Sequence, residues 1–234
     1  MAAPEGNDPT SRPQTPLDAL GVLASQEVAI TERMRHLELY TTRGLLTVLW
    51  HGTGDEDRAV VAMGGAMGGL LGPAEGLYHR LGDVLARDHG IATLRISYRR
   101  PNDMDACVLD AAAAEQLAVG NGADRDVTLG HSVGGAVAIR TGVLLPEMVA
   151  GVCTFATQSA GCEIAGGLSG RPFLLFHGDR DEILPVDASF VVREIAGWGD
   201  VVVLPGDGHL LAKSDAAMTE RLMDWIPATL RPPT

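Results

Sequence analysis

The residues most able to do chemistry lie between Val127 and Ile139, VTLGHSVGGAVAI. Val127-Thr128-Leu129 is a β-branched, apolar run that suits a strand. Gly130 to Gly134 then reads as a sharp turn around Ser132, and the small and apolar residues after it suit a packed helix. A serine on such a turn holds its hydroxyl out at the carboxyl end of a sheet, in a backbone conformation that few side chains adopt. Flanking glycines are needed where a Cβ would strike the neighbouring strand or helix. A serine hydroxyl is a poor nucleophile until a base takes its proton and a third group orients that base. In 234 residues with 29 glycines and 8 serines, about 0.1 chance matches to G-x-S-x-G are expected, so the surrounding sequence has to carry the reading.

Two further stretches supply it: HGDRDEILP at 177–185 and GDGH at 206–209. Together with GHSVGG at 130–135 they resemble the α/β-hydrolase superfamily, and more closely its small lidless members of dienelactone-hydrolase or carboxylesterase type, from Glu32 to Trp225. The resemblance implies a chain order of serine, acid, histidine. His36, His51, His79 and His89 precede Ser132 and break that order. His131 lies inside the turn, its ring expected to point away from the neighbouring hydroxyl, and His177 ends a strand and reads as structural. His209, in the glycine-rich loop after a strand, is the expected base. Asp179 and Asp181 both follow the strand 172–176, and the family's H-G-x-x-D pattern puts the acid on Asp181. Asp179 would then cap its own turn, with Asp187 and Asp207 as weaker alternatives.

Acyl transfer also needs N–H donors aimed at the oxyanion. The resemblance assigns one to Val133 and the second to Gly64-Gly65-Ala66, with Gly65 first and Ala66 next. Met63 stands where relatives often carry histidine. The glycine loop fits neither G-x-G-x-x-G nor the Walker pattern, which argues against a phosphate cradle. Strand 91–96 runs into Ser97-Tyr98-Arg99-Arg100-Pro101, and ligands in open parallel sheets bind beyond the carboxyl ends of strands. Arg99 or Arg100 is therefore expected near the mouth of the site, where an arginine can grip a carboxylate in bidentate fashion. Dienelactone-hydrolase relatives use arginines in this way, which implies an anionic acyl substrate; the competing reading is a surface arginine paired with some of the 30 acidic residues. Met67 is placed with them on the substrate side.

The supporting elements follow from periodicity. Short apolar strands alternate with helices of 10 to 17 residues, which implies a doubly wound, mostly parallel α/β sheet. A hairpin, Met34 to Tyr40 with Leu45 to Trp50, is expected at its antiparallel N-terminal edge. Only residues 156–171 separate the strand after the serine helix from the next one, too few for a lid domain. Residues 1–26 read as a loose tail, without the basic and apolar pattern of a secretory signal, and 27–231 as one catalytic domain. Whether 17–29 is helical or extended is left open. A net charge of −12 disfavours nucleic acid and anionic membranes as partners. Cys107, Cys153 and Cys162 are scattered, without metal-ligand spacing, and a cytoplasmic location is expected. The sequence thus points to a serine hydrolase that acts on a small ester, lactone or thioester without metal or cofactor. An acyltransferase or thioesterase with the same triad, and a non-catalytic binding module on the same fold, are the rival readings.

Overall fold

The computed structural model describes residues 14–232. Nine strands form one sheet in the order β1-β2-β3-β5-β4-β6-β7-β8-β9. Strands β1 (Val22–Thr31), β2 (Met34–Thr41) and β3 (Gly44–His51) form an antiparallel meander, and β3 pairs antiparallel with β5 (Ala92–Ser97). From β5 outward, β4 (Arg58–Met63), β6 (Arg125–His131), β7 (Val149–Phe155), β8 (Phe173–Gly178) and β9 (Asp200–Leu204) all run parallel. The doubly wound parallel sheet with an antiparallel N-terminal edge is what the periodicity predicts. Its edge strand differs. Residues 14–26, expected in the loose tail, form a short helix α1 (Pro16–Leu20), capped by Thr15, and the first half of β1. Residues 1–13 of that tail lie outside the described residues. Every residue of β1 is exposed, so it lacks the buried face whose alternation marks a strand.

Helices cover both faces. On one, α1, α3 (Met104–Gly120), α4 (Val133–Leu144) and α5 (Asp187–Ala196) pack with the sheet around Trp50, Leu94, Val137 and Val192. On the other, α2 (Pro73–Val84) and α6 (Asp215–Thr229) enclose Tyr78, Phe155, Phe176 and Leu222. The parallel strands inside the edge strand β9 are buried on both sides, and Ala59–Met63 of β4 and Phe173–Phe176 of β8 accordingly read as unbroken apolar runs. Asp103 opens α3 by accepting the Ala106 N–H, as an N-cap should. Between β7 and β8 the chain makes only loop and one short turn of 3-10 helix, Ala165–Leu168, and no lid domain. The carboxyl ends of β4, β6, β8 and β9 therefore open onto the loops that carry the predicted site.

Candidate active site

Ser132 sits between the end of β6 and the start of α4 with φ 57 and ψ −119, a region in which a side chain is strained. Its N–H is tied to the Phe155 carbonyl of β7. The two flanking glycines are required for contact reasons. A Cβ on Gly130 would strike the Gly134 carbonyl, and one on Gly134 would strike the Gly64 and Met63 carbonyls at the end of β4. The turn is thus wedged between a helix start and the neighbouring loop, and any larger residue would force the backbones apart.

Asp181 and His209 come together from separate loops. His209 Nδ1 lies 2.8 Å from Asp181 Oδ2, and the carboxylate is fully covered. The other carboxylate oxygen accepts the Ile183 and Leu184 N–H groups at 2.8 and 2.9 Å. Burial by itself would raise the pKa of this acid. The Leu184 N–H, His209 and the Ile183 N–H more than offset that, and it is lowered. Asp181 therefore stays ionised and holds His209 through Nδ1. Asp179 instead accepts the Gly206 N–H at 2.6 Å, so it fastens the histidine loop rather than capping its own. Asp207 is buried and accepts the Lys213 N–H, and Asp187 lies exposed in the first turn of α5. The Gly178 Cβ position is occupied by the Asp207 carbonyl, which brings the acid loop and the histidine loop into direct contact.

Ser132, His209, His131 and the loop Gly64–Gly72 line one cavity of about 770 Å³. No hydrogen bond joins Ser132 to His209 here; contacts of this kind commonly tighten only with substrate bound. Gly65 packs against the serine, its Cβ position 3.4 Å from Ser132 Cβ. Gly68 N–H closes a tight turn onto the Gly65 carbonyl at 2.8 Å. Apart from Arg95, the rest of the wall is apolar: Leu49, Met67, Leu70, Leu71, Ile183 and Leu210. Met67, Leu71, Ile183 and Leu210 are also well exposed and rim the mouth.

Arg99 and Arg100 are not at this cavity, which corrects the expected anion clamp. Arg99 is turned into a buried ion pair with Asp110 of α3, and its backbone N–H donates to the same carboxylate. Arg100 is exposed beside Asp103. The strand ends at Ser97; Tyr98 and Pro101 after it still reach the Gly64–Gly72 loop, whereas the Arg99 side chain is directed to α3. Among the described residues, the one arginine that lines the cavity is Arg95, in the middle of β5 and 3% exposed. A charged residue inside the otherwise uncharged, buried run ATLRIS was the signal available for it. His131 is a second contributor missed by sequence. Its Nε2 meets the His209 carbonyl at 2.9 Å, and burial lowers it to about 4, so as a neutral ring it steadies the histidine loop. His177, expected to be structural, is buried against Ser189 and the Leu184 carbonyl, and its Nε2 also lies 3.2 Å from Asp181 Oδ2.

A cluster of His51, His79 and Asp83 brings ligand atoms within 4.8 Å of one another. Arg95 Nη2 is 3.4 Å from His79 Nδ1. A guanidinium only donates, so that nitrogen must accept, which leaves the proton on Nε2, the atom facing Asp83. With the cation alongside, the cluster suits a hydrogen-bonded network better than a metal ion. His51 itself is lowered to about 4, by burial first and by Arg95 second.

No family model and no curated protein matches this sequence. Solved structures do. Est1E from Butyrivibrio proteoclasticus superposes with a TM-score of 0.71 at 14% identity, over 83% of this chain and 98% of that one. A serine hydrolase without a lid from Xanthomonas campestris gives 0.64 at 19% identity, over 88% and 100%. Dienelactone hydrolase from Anabaena variabilis gives 0.64 at 16% identity, over 86% and 99%. No helix among the described residues is long and apolar enough to cross a membrane. The sheet order, the wedged serine turn and these superpositions agree: the chain has the α/β-hydrolase fold.

Proposed function

We propose that this chain is a serine hydrolase that cleaves carboxylic esters with an apolar acyl or aryl group through an acyl-enzyme. The observation that carries the reading is Ser132, held at φ 57 on the wall of a cavity that it shares with a histidine already bound to a buried carboxylate. In the first step Ser132 Oγ attacks the ester carbonyl while His209 Nε2 takes its proton. The C–O bond to the leaving alcohol then breaks as His209 returns that proton to the alcohol oxygen. Water, activated by the same histidine, releases the acid. Asp181 keeps the Nδ1 proton of His209 in place throughout, which fixes the tautomer and balances the imidazolium. Val133, at the first position of α4, and Gly65 or Ala66 would offer N–H groups to the tetrahedral oxyanion.

The substrate class follows from the walls. A cavity of about 770 Å³ lined by six aliphatic or methionine side chains is of the size that holds a small organic ligand. The related Est1E is described with ferulic acid bound, an aryl acid that such a cavity would suit. An anionic acyl group has no support from Arg99 or Arg100. Ser132→Ala is the direct test: turnover of aryl esters should fall by roughly 10³- to 10⁶-fold with the melting temperature nearly unchanged. Retention of most of the turnover would reject the reading.

A further inference from the structure

The loop Gly64–Gly72 contains five glycines, and Gly68, Gly69 and Gly72 have positive φ. Such a chain is costly to hold still, yet an oxyanion donor has to be in position before the charge develops. The protein pins the loop at both ends. Tyr98 and Tyr78 hydroxyls donate to the Gly64 and Met63 carbonyls at 3.3 and 3.1 Å. At the far end the Tyr78 N–H donates to the Leu71 carbonyl, and Arg95 Nη1 donates to the Leu70 carbonyl at 3.1 Å.

Arg95 is a costly choice for that anchor. It lies between Leu94 and Ile96 in β5, buried, with its Nε unpartnered, and it makes no ion pair among the described residues. Burial lowers its pKa, and Asp83 offsets part of the effect from a distance. Removing a guanidinium from water without a contacting carboxylate is unfavourable, and an apolar side chain would fill the space more cheaply. What the charge supplies is a strong, directional donor to a carbonyl. Its other nitrogen is steered by His79, which faces Asp83, which in turn holds the buried His51 at 2.8 Å.

We infer that Arg95 is a positioning residue for the oxyanion loop: by clamping the Leu70 carbonyl it fixes the stretch from Gly65 to Leu71 in the shape that presents the Gly65 or Ala66 N–H to the reacting carbonyl. This rests on the hydrolase reading of Ser132. A positioning residue of this kind acts on kcat, because the interaction it supports is made only in the transition state.

The test compares wild type, Arg95→Met and Arg95→Lys as full chains, with rates normalised to active sites titrated by a fluorophosphonate. For Arg95→Met, kcat on neutral p-nitrophenyl butyrate should fall by about 10- to 100-fold, with KM within about threefold on both this ester and the anionic p-nitrophenyl hemisuccinate. The inhibition constant of a trifluoromethyl ketone, whose adduct needs the oxyanion hole, should rise by the same factor as kcat falls, and Arg95→Lys should recover part of both. Amide exchange in residues 64–72 should quicken in Arg95→Met. Unchanged kcat per titrated site would overturn the inference. So would a KM rise confined to the anionic ester, which would mean direct contact with substrate. If Arg95→Met does not fold, Arg95→Gln and Arg95→Lys carry the same comparisons. If wild type neither turns over esters nor reacts with the fluorophosphonate, the hydrolase reading fails; the exchange experiment still judges the clamp, and unchanged exchange refutes it.

Discussion

Replacing Asp181 by asparagine should cost this protein its chemistry while sparing its fold, and the local hydrogen bonds dictate why. One carboxylate oxygen accepts two backbone N–H groups, from Ile183 and Leu184. In Asp181→Asn only the amide oxygen can fill that place, since the NH₂ group cannot accept. The NH₂ is thereby forced into the position of Oδ2, 2.8 Å from His209 Nδ1. Facing a donor, Nδ1 must present its lone pair, so the ring proton moves to Nε2, the nitrogen that has to take the Ser132 proton. The expected loss is about 10⁴-fold in kcat, or about 5 kcal/mol in activation free energy. Both backbone contacts survive and only the 3.2 Å contact of Oδ2 with His177 Nε2 is lost, so the melting temperature should fall by a few degrees at most. The assay is steady-state hydrolysis of p-nitrophenyl butyrate alongside thermal melting, with Asp179→Asn as the comparison. Among the described residues the Asp179 carboxylate accepts only the Gly206 N–H of the histidine loop, and Asp179→Asn should lose far less. Asp181→Asn within tenfold of wild type, or a greater loss in Asp179→Asn, would refute this reasoning.

Four other substitutions probe the frame. Gly134→Ala drives a methyl group into the Gly64 and Met63 carbonyls and should lower stability by about 3 kcal/mol or more, read as a large drop in melting temperature together with lost turnover. Arg99→Met leaves Asp110 buried and unpaired, a cost of about 3–5 kcal/mol and about 10 °C in melting temperature, whereas the exposed Arg100→Met should change little; KM should be unmoved in both, and a rise with either would restore the anion clamp. Burial raises Asp126 to about 6 and lifts its neighbour Glu115 well above the usual carboxylate range, so the folded chain keeps a proton that the unfolded chain releases above pH ~4. The stability from this pair is full at acid pH and is lost as pH rises through 6. Melting curves between pH 5 and 8 should therefore show Glu115→Gln gaining on wild type as pH increases, and parallel curves would contradict the pair's role.

What could be read from the sequence was what short-range geometry decides. Gly130 announces the turn because it meets the backbone of Gly134 and Gly135, only a few residues on. The alternation of apolar strands and helices is likewise local, and the hairpin of β2 and β3 and the strands β5 and β8 fall within two residues of the places it assigns. The pairing of Asp181 with His209 was reached only through resemblance, since the spacing of the two aspartates leaves either possible until Gly206 is seen to occupy Asp179. Arg99 was misplaced because its direction is set by Asp110, a partner eleven residues on in a helix whose packing the sequence does not display. Strand β1 escaped notice because both of its faces meet solvent. Arg95 and His131 carry their roles through contacts with Leu70 and the His209 carbonyl, which only the folded chain brings near.

The central claim is that Ser132 is an activated nucleophile, and covalent labelling tests it most directly. A fluorophosphonate probe incubated with the intact protein should add one equivalent, recovered by peptide mass spectrometry on Ser132, and His209→Ala should slow that reaction by orders of magnitude. No adduct on the folded wild type, or an adduct on another residue that persists in Ser132→Ala, would contradict the account.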